Sequence, residues 1–376
     1  MSETGHQGQG GDTIDPPMAM LAELTHRCPL ACPYCSNPLQ LKQAKDELST
    51  EQWIDVFDQA AKMGVLHLHL SGGEPASRRD LVELTQAASE RDLYTNLITS
   101  GVGLTEQRMN SLDDAGLDHV QLSLQGADAQ SADVVGGYKG GFERKMHVAE
   151  WTNSCGIPLT VNAVCHRRNM DDLDTMIDLA VTLQARRLEI ATVQFNGWAV
   201  RNRAQLMPTS EQVAATTAKV EAVRERLKGV LVIDYVPADH FATYPKACMG
   251  GWGRIGINVD PTGLVLPCHA AETIPSLTFD NVKDKALPDI WYRGDAFNAF
   301  RGTEWMQEPC RSCERKHIDF GGCRCQAMAV AGDAAATDPV CAKSPLRDEL
   351  RANAIAASAG DDTQPFVYRG RETVSS

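Results

Sequence analysis

Long apolar runs are missing from this chain of 376 residues, and none approaches the roughly 20 residues that a bilayer-spanning helix needs. Met1 to Asp15 is rich in Gly and Gln and has no apolar centre, so a secretory signal peptide is not expected and a cytoplasmic location is. Positive charge is scarce as well: 36 Lys and Arg stand against 49 Asp and Glu, giving a formal net charge of −13 and a pI near 5.2. Such a surface repels phosphate backbones, and the basic residues form only short clusters such as Arg201 and Arg203, so nucleic acid is not an expected partner. No internal duplication or low-complexity repeat is visible.

What the chain does have is thiols. Twelve cysteines without an export signal are better explained by metal ligation than by disulfides, because the cytosol keeps thiols reduced. Ten of them fall into two groups, Cys28 to Cys35 and Cys248 onward, while Cys155 and Cys165 stand apart and read as ordinary buried residues. With 43% hydrophobic residues the chain can bury a large core, as two domains or as one barrel with an appended module.

The first group is Arg27-Cys28-Pro29-Leu30-Ala31-Cys32-Pro33-Tyr34-Cys35, a loop that Pro29 and Pro33 keep from becoming helix. Three thiols from one loop can fill three iron corners of a four-iron cluster and leave the fourth for a small molecule. A zinc knuckle or a disulfide knot would want a further partner nearby, and the next cysteine is the distant Cys155. The run Met18 to Thr25 reads as a buried strand, which puts the thiols at a strand's carboxyl end, where parallel barrels keep their chemistry.

Strand and helix signals then alternate. Ser49 caps a helix that runs to about Met63 and stops at Gly64, and Val65 to Leu70 alternates as a strand into Ser71-Gly72-Gly73-Glu74-Pro75. Glycines there allow close approach of a ligand, and the Glu74 carboxylate could hold an ammonium group. Helices are expected at 78–90, 105–115, 141–154 and 170–183, and strands at 94–99, 119–124, 159–164 and 187–193. The alternation implies a parallel sheet with right-handed crossovers, six units long and therefore an incomplete barrel. Ser123, Gln125 and Asn162 are polar residues in or just after its strands, and His67 and His69 share a strand face with no spacing that demands a metal. A helix at 210–228 and a strand at 230–236 precede a boundary near Ala238.

Beyond it, a Pro261-Thr262-Gly263 turn joins strands at 255–259 and 264–267, a hairpin that brings Cys248 and Cys268 together. Cys310-x2-Cys313-x5-Asp319-x3-Cys323 follows, with Cys325 and Cys341. His269 beside Cys268 suits either tuning of a metal centre or core packing, and a zinc ribbon would want two CxxC knuckles where this region has one.

The first cysteine loop, with Tyr34 just before its third thiol, and Gly72-Gly73-Glu74 one strand later resemble the signatures of radical S-adenosylmethionine (SAM) enzymes. The later cysteines resemble the SPASM extension of members that modify ribosomal peptides. The resemblance implies an α/β fold: a partial (β/α)6 TIM barrel over residues 17–237 and a SPASM domain over 238–350, flanked by a disordered 1–16 and a flexible tail at 351–376. It implies a 4Fe-4S cluster on Cys28, Cys32 and Cys35 whose open iron chelates SAM for cleavage to a 5′-deoxyadenosyl radical, with Tyr34, Gly72, Gly73, Glu74, Ser123 and Asn162 contacting SAM. Two auxiliary iron–sulfur clusters are implied. The outer, four-iron one is carried by Cys310, Cys313 and Cys341 with Asp319 where the pattern normally has cysteine. The inner one is carried by Cys248, Cys268, Cys323 and Cys325, and the unusual Cys-x-Cys pair leaves a two-iron centre open.

The segments 21–30 and 193–199, Asn202-Arg203 and the Asp319 replacement further resemble the PqqA peptide cyclases. That implies carbon–carbon bond formation between a glutamate and a tyrosine side chain of the precursor peptide PqqA, in pyrroloquinoline quinone biosynthesis. The implied partners are the chaperone PqqD and a flavodoxin- or ferredoxin-type reductant. Another peptide modifier, forming thioethers or maturing sulfatases, and a non-catalytic iron–sulfur electron carrier stay open as alternatives.

Overall fold

A computed structural model describes residues 13–369 and the two-residue strand His6–Gln7, which pairs antiparallel with Thr13–Ile14. The expected disorder of 1–16 falls mostly outside the described residues; at its end the Asp15 carbonyl accepts from the Trp291 indole at 3.0 Å.

Six parallel strands form the centre: β1 (Ala19–Thr25), β2 (His67–Gly72), β3 (Tyr94–Thr99), β4 (His119–Leu124), β5 (Leu159–Cys165) and β6 (Arg187–Thr192). Helices α1 (Thr50–Met63), α2 (Leu81–Ser89), α3 (Glu106–Asp114), α4 (Ala129–Gly136), α5 (Gly141–Ser154) and α6 (Leu173–Thr182) connect them. Local chemistry sets the boundaries. Ser49 and Gln52 form a reciprocal capping box at the start of α1, and Gly64 ends it at φ 95°, a left-handed value that costs glycine nothing. Period-2 alternation sends Leu68, Leu70, Val120, Leu122 and Leu124 toward the helices, where they meet Trp53, Val56 and Phe57 of α1 and other helix residues in one apolar core. The opposite, concave face is polar and cross-linked: Asn96 contacts His69 (3.1 Å) and donates to Gln121 (3.3 Å), which donates to Glu189 (3.1 Å).

The sheet does not stop at six strands. β7 (Val232–Val236), after helix α7 (Ser210–Arg226), lies parallel to β6. On the other flank β8 (Gly256–Val259) lies parallel to β1 and carries β9 (Val265–Leu266) antiparallel, so the order is β9-β8-β1-β2-β3-β4-β5-β6-β7. The expected hairpin is present, and it also covers the free edge of β1, so one sheet runs across the boundary near Ala238.

The reading of 351–376 as a flexible tail needs correction. Helix α8 (Arg347–Ser358) buries Leu350, Ala354 and Ser358 at four-residue spacing, and residues 361–369 then run back over the core with Phe366 buried. Residues 370–376 lie outside the described residues. Helix α4, capped by Asp128 and ended by Gly137 at φ 63°, was not expected from the sequence.

Candidate active site

The Cys28–Cys35 loop leaves the end of β1 and is pinned by backbone contacts on several sides. Glycine makes one of them possible: the N–H of Gly73 donates to Thr25 O at 2.6 Å and that of Glu74 to Arg27 O at 2.8 Å. A Cβ on Gly72, at φ 126°, would lie 2.3 Å from Thr25 O, so the close approach these glycines permit is to the cysteine loop itself. On another side Ala31 N donates to Gly136 O at the end of α4 (2.8 Å), and on a third Trp198 N donates to Cys35 O (2.9 Å).

The three thiols are mutually close. Burial raises Cys28, Cys32 and Cys35, and the Cys35 and Cys28 thiols add to the effect at Cys32, which is pushed up to about 12. Crowded, desolvated thiols of this kind are relieved by a cationic centre that accepts them as thiolates, which fits an iron–sulfur cluster. All twelve cysteines are free of disulfides, as expected, and Cys165 is buried. Cys155 is only half buried, at the end of α5. Tyr34 is half-buried beside Cys32, its hydroxyl shielded from water and its ring 5.9 Å from that of His166.

Glu74 behaves differently from expectation. Its carboxylate is 0% exposed and accepts four hydrogen bonds, from Ala76 N (2.9 Å), Thr99 Oγ1 (2.7 Å), Ser100 N (2.7 Å) and Ser100 Oγ (2.5 Å). The side chain therefore ties the glycine loop to the end of β3 and is not an open carboxylate awaiting an ammonium group. Ser123 and Asn162 sit opposite each other in register on β4 and β5, half-buried.

The four cysteines expected at the inner centre are brought together in space. Cys248 and Cys325 each lie beside both Cys268 and Cys323, four crowded and desolvated thiols. Among the described residues no three or more His, Cys, Asp or Glu side chains are placed to hold one metal ion, here or at the other two cysteine groups. Trp252, Leu266, Ile274 and Phe300 form an apolar wall beside the inner thiols. Cys310, Cys313, Asp319 and Cys341 line a second cavity, a thiol-and-carboxylate donor set of the kind that suits an iron–sulfur centre. There Asp319 Oδ1 accepts from Gly321 N (3.1 Å), Oδ2 pairs with Arg315 (3.3 Å), and Lys343 Nζ reaches Cys313 Sγ (3.2 Å).

Known proteins match this arrangement. Residues 22–180 match the model of the radical SAM superfamily and residues 248–314 that of an iron–sulfur cluster-binding domain, SPASM. The PqqA peptide cyclase of Rhizobium meliloti is 70% identical over 358 residues, 95% of each chain. The chain belongs to the PqqA peptide cyclase family. That of Ruegeria pomeroyi is 62% identical over 95% of this chain and 96% of its own. Among solved structures, Streptococcus suis SuiB bound to S-adenosylmethionine superposes with a TM-score of 0.71 at 20% identity, covering 84% of this chain and 75% of its own. The enzyme anSMEcpe with bound AdoMet gives 0.63 at 14% identity, covering 91% and 97%. These two are likenesses of fold. As a member of the cyclase family the chain is a radical SAM enzyme that binds SAM and iron–sulfur clusters.

Two residues that brace the site are not marked as such by the sequence, Lys145 and Asn202. Lys145 on α5 is 1% exposed, donates to Ser100 O at 2.5 Å, and is brought down to about 8 by burial. Its place in the buried stripe Gly141, Lys145, Val148, Ala149 and Thr152 was the available signal. Asn202, fully buried, donates to Pro33 O (3.1 Å), Trp198 O (3.1 Å) and Val367 O (3.0 Å) and accepts from Val367 N (2.8 Å). It fastens the cysteine loop to the C-terminal segment.

Proposed function

We propose that this protein crosslinks a glutamate to a tyrosine side chain within a PqqA precursor peptide, in pyrroloquinoline quinone biosynthesis. The observation that carries the reading is 70% identity to a PqqA peptide cyclase over 95% of both chains, with every expected cluster ligand in one of three groups. Residues 17–237 carry the radical chemistry and 238–350 the auxiliary centres. A 4Fe-4S cluster on Cys28, Cys32 and Cys35, when loaded with SAM, supplies a 5′-deoxyadenosyl radical that abstracts hydrogen.

The chain's own residues supply the rest. Gly72 and Gly73 press the SAM loop onto the cysteine loop, Tyr34 walls the thiols, and Ser123 and Asn162 offer polar contacts to SAM from the concave face. Cys248, Cys268, Cys323 and Cys325 hold the inner centre, a two-iron cluster by this reading, and Cys310, Cys313, Cys341 and Asp319 a four-iron outer one. The open sheet leaves a polar concave surface for an extended peptide, which PqqD presents. Arg27 and Arg144, at the mouth of a cavity beside Cys28, make a cationic spot on this otherwise acidic protein where an acidic flavodoxin- or ferredoxin-type reductant would dock.

The test is incubation of reduced, cluster-loaded protein with SAM, PqqD and a peptide carrying Glu-x-x-x-Tyr. Loss of two hydrogens, with a glutamate–tyrosine link in the fragment spectrum, is expected. SAM cleavage with no change in peptide mass would overturn the assignment, and a thioether would move it to another peptide modifier.

A further inference from the structure

The cysteine loop is also fastened by the chain's own C-terminal strap. Residues 361–369 cross the core beside it, held by contacts that do not involve the last residue: Phe366 is buried with the Arg168 guanidinium 4.1 Å from its ring centre, Val367 pairs through its backbone with Asn202, and Tyr368 OH donates to Val134 O at 2.7 Å. Arg369 then reaches the loop. Its Nη2 donates to Cys28 O at 3.1 Å and to Leu30 O at 2.5 Å. Its Nη1 is buried and has no hydrogen-bond partner.

A guanidinium keeps its charge in any protein, and a desolvated charged N–H without an acceptor is costly. A buried donor without a partner, on a side chain that clasps the carbonyls of Cys28 and Leu30, marks a place for an anion.

We propose that the C-terminal strap is part of the SAM-cluster site, with Arg369 clamping the carbonyls of Cys28 and Leu30 and keeping its Nη1 N–H for an anionic acceptor bound at that loop. The acceptor is a cluster sulfur or the carboxylate of SAM, both of which take a charge-assisted hydrogen bond. Arg369 is thus a positioning residue, arriving from the far end of the chain. The inference rests on the reading that Cys28, Cys32 and Cys35 carry a cluster that binds SAM.

The test uses full-length, anaerobically reconstituted protein as wild type, Arg369→Gln and Arg369→Lys. The reduction midpoint of the SAM cluster is followed by electron paramagnetic resonance without SAM, and SAM affinity by equilibrium binding. Because the strap has other anchors, Arg369→Gln should keep its auxiliary clusters and its unfolding midpoint. A midpoint lowered in Arg369→Gln assigns the donor to cluster sulfur, since hydrogen bonds to the sulfurs help set the potential. About tenfold weaker SAM binding at an unchanged midpoint assigns it to the carboxylate. In either case Arg369→Lys, which keeps the charge, should recover part of the loss. Midpoint and affinity in Arg369→Gln equal to wild type would overturn the inference alone. Wild-type protein whose cluster signal does not respond to SAM would overturn the underlying reading with it.

Discussion

A Cβ added to Gly73 would lie 2.6 Å from the carbonyl oxygen of Arg27 and 2.7 Å from that of His26. Both obstacles are backbone of the cysteine loop and cannot swing aside. Gly73→Ala should therefore cost about 1–3 kcal/mol of stability by overpacking and prise the two loops apart. Equilibrium SAM binding to the reconstituted variant should be at least tenfold weaker; wild-type affinity would show that the contact between the loops does not shape the site.

Lys145 and Glu74 form a second buried relationship. Lys145 feels the attraction of the Glu74 carboxylate, which has no exposure to water. Lys145→Met removes the cation and its buried hydrogen bond to Ser100 O, a loss of about 2 kcal/mol. Urea unfolding should show the double variant Lys145→Met/Glu74→Gln destabilised by less than the sum of the single changes. Strict additivity would contradict the coupling.

Asp319 is shared between Arg315, the Gly321 N–H and the cavity of Cys310, Cys313 and Cys341. As an oxygen ligand it holds iron less tightly than thiolate does. Asp319→Ala should change the Mössbauer parameters of the outer cluster and leave the inner ones alone, while Asp319→Cys should retain outer-cluster iron better than wild type under chelator. Unchanged parameters in Asp319→Ala would remove the carboxylate from the coordination sphere.

His166 is 0% exposed, and burial, reinforced by the nearby Arg168 charge, brings it down to about 3. The imidazole is neutral in the fold, so its contribution is complete above the unfolded value near 6.5 and is lost as pH falls from there toward 3. At pH 5.5 the loss is about 1.4 kcal/mol relative to pH 8. His166→Asn retains an acceptor for the Arg168 N–H and should flatten the pH dependence by that amount in chemical unfolding; identical pH slopes would contradict it.

The parallel strands and most helices were legible because Leu68, Leu70, Val120 and Leu122 alternate, and because Ser49 and Gly64 bracket α1 with cap chemistry. The grouping of the thiols was legible because cysteines at such spacings have few other uses. Helix α4 was not, since Ala129-Gln130-Ser131-Ala132-Asp133-Val134-Val135-Gly136 carries little apolar patterning. The pairing of β8 with β1 joins Gly256 to Ala19, a long-range contact that no local pattern announces. Glu74 misled because a carboxylate after two glycines looks available until Thr99 and Ser100, one strand away, are seen to take it. The tail was read from its polar average, which hid the spacing of Leu350, Ala354 and Ser358 and the anchoring of Phe366.

Everything rests on the thiols of Cys28, Cys32 and Cys35 leaving one iron open to SAM. Electron–nuclear double resonance on the reduced, reconstituted protein with SAM labelled with 17O at its carboxylate and 15N at its amino group tests this directly. Hyperfine couplings from both labels, abolished in Cys32→Ala, are predicted. A cluster signal that carries neither coupling and is unchanged by SAM would contradict the account.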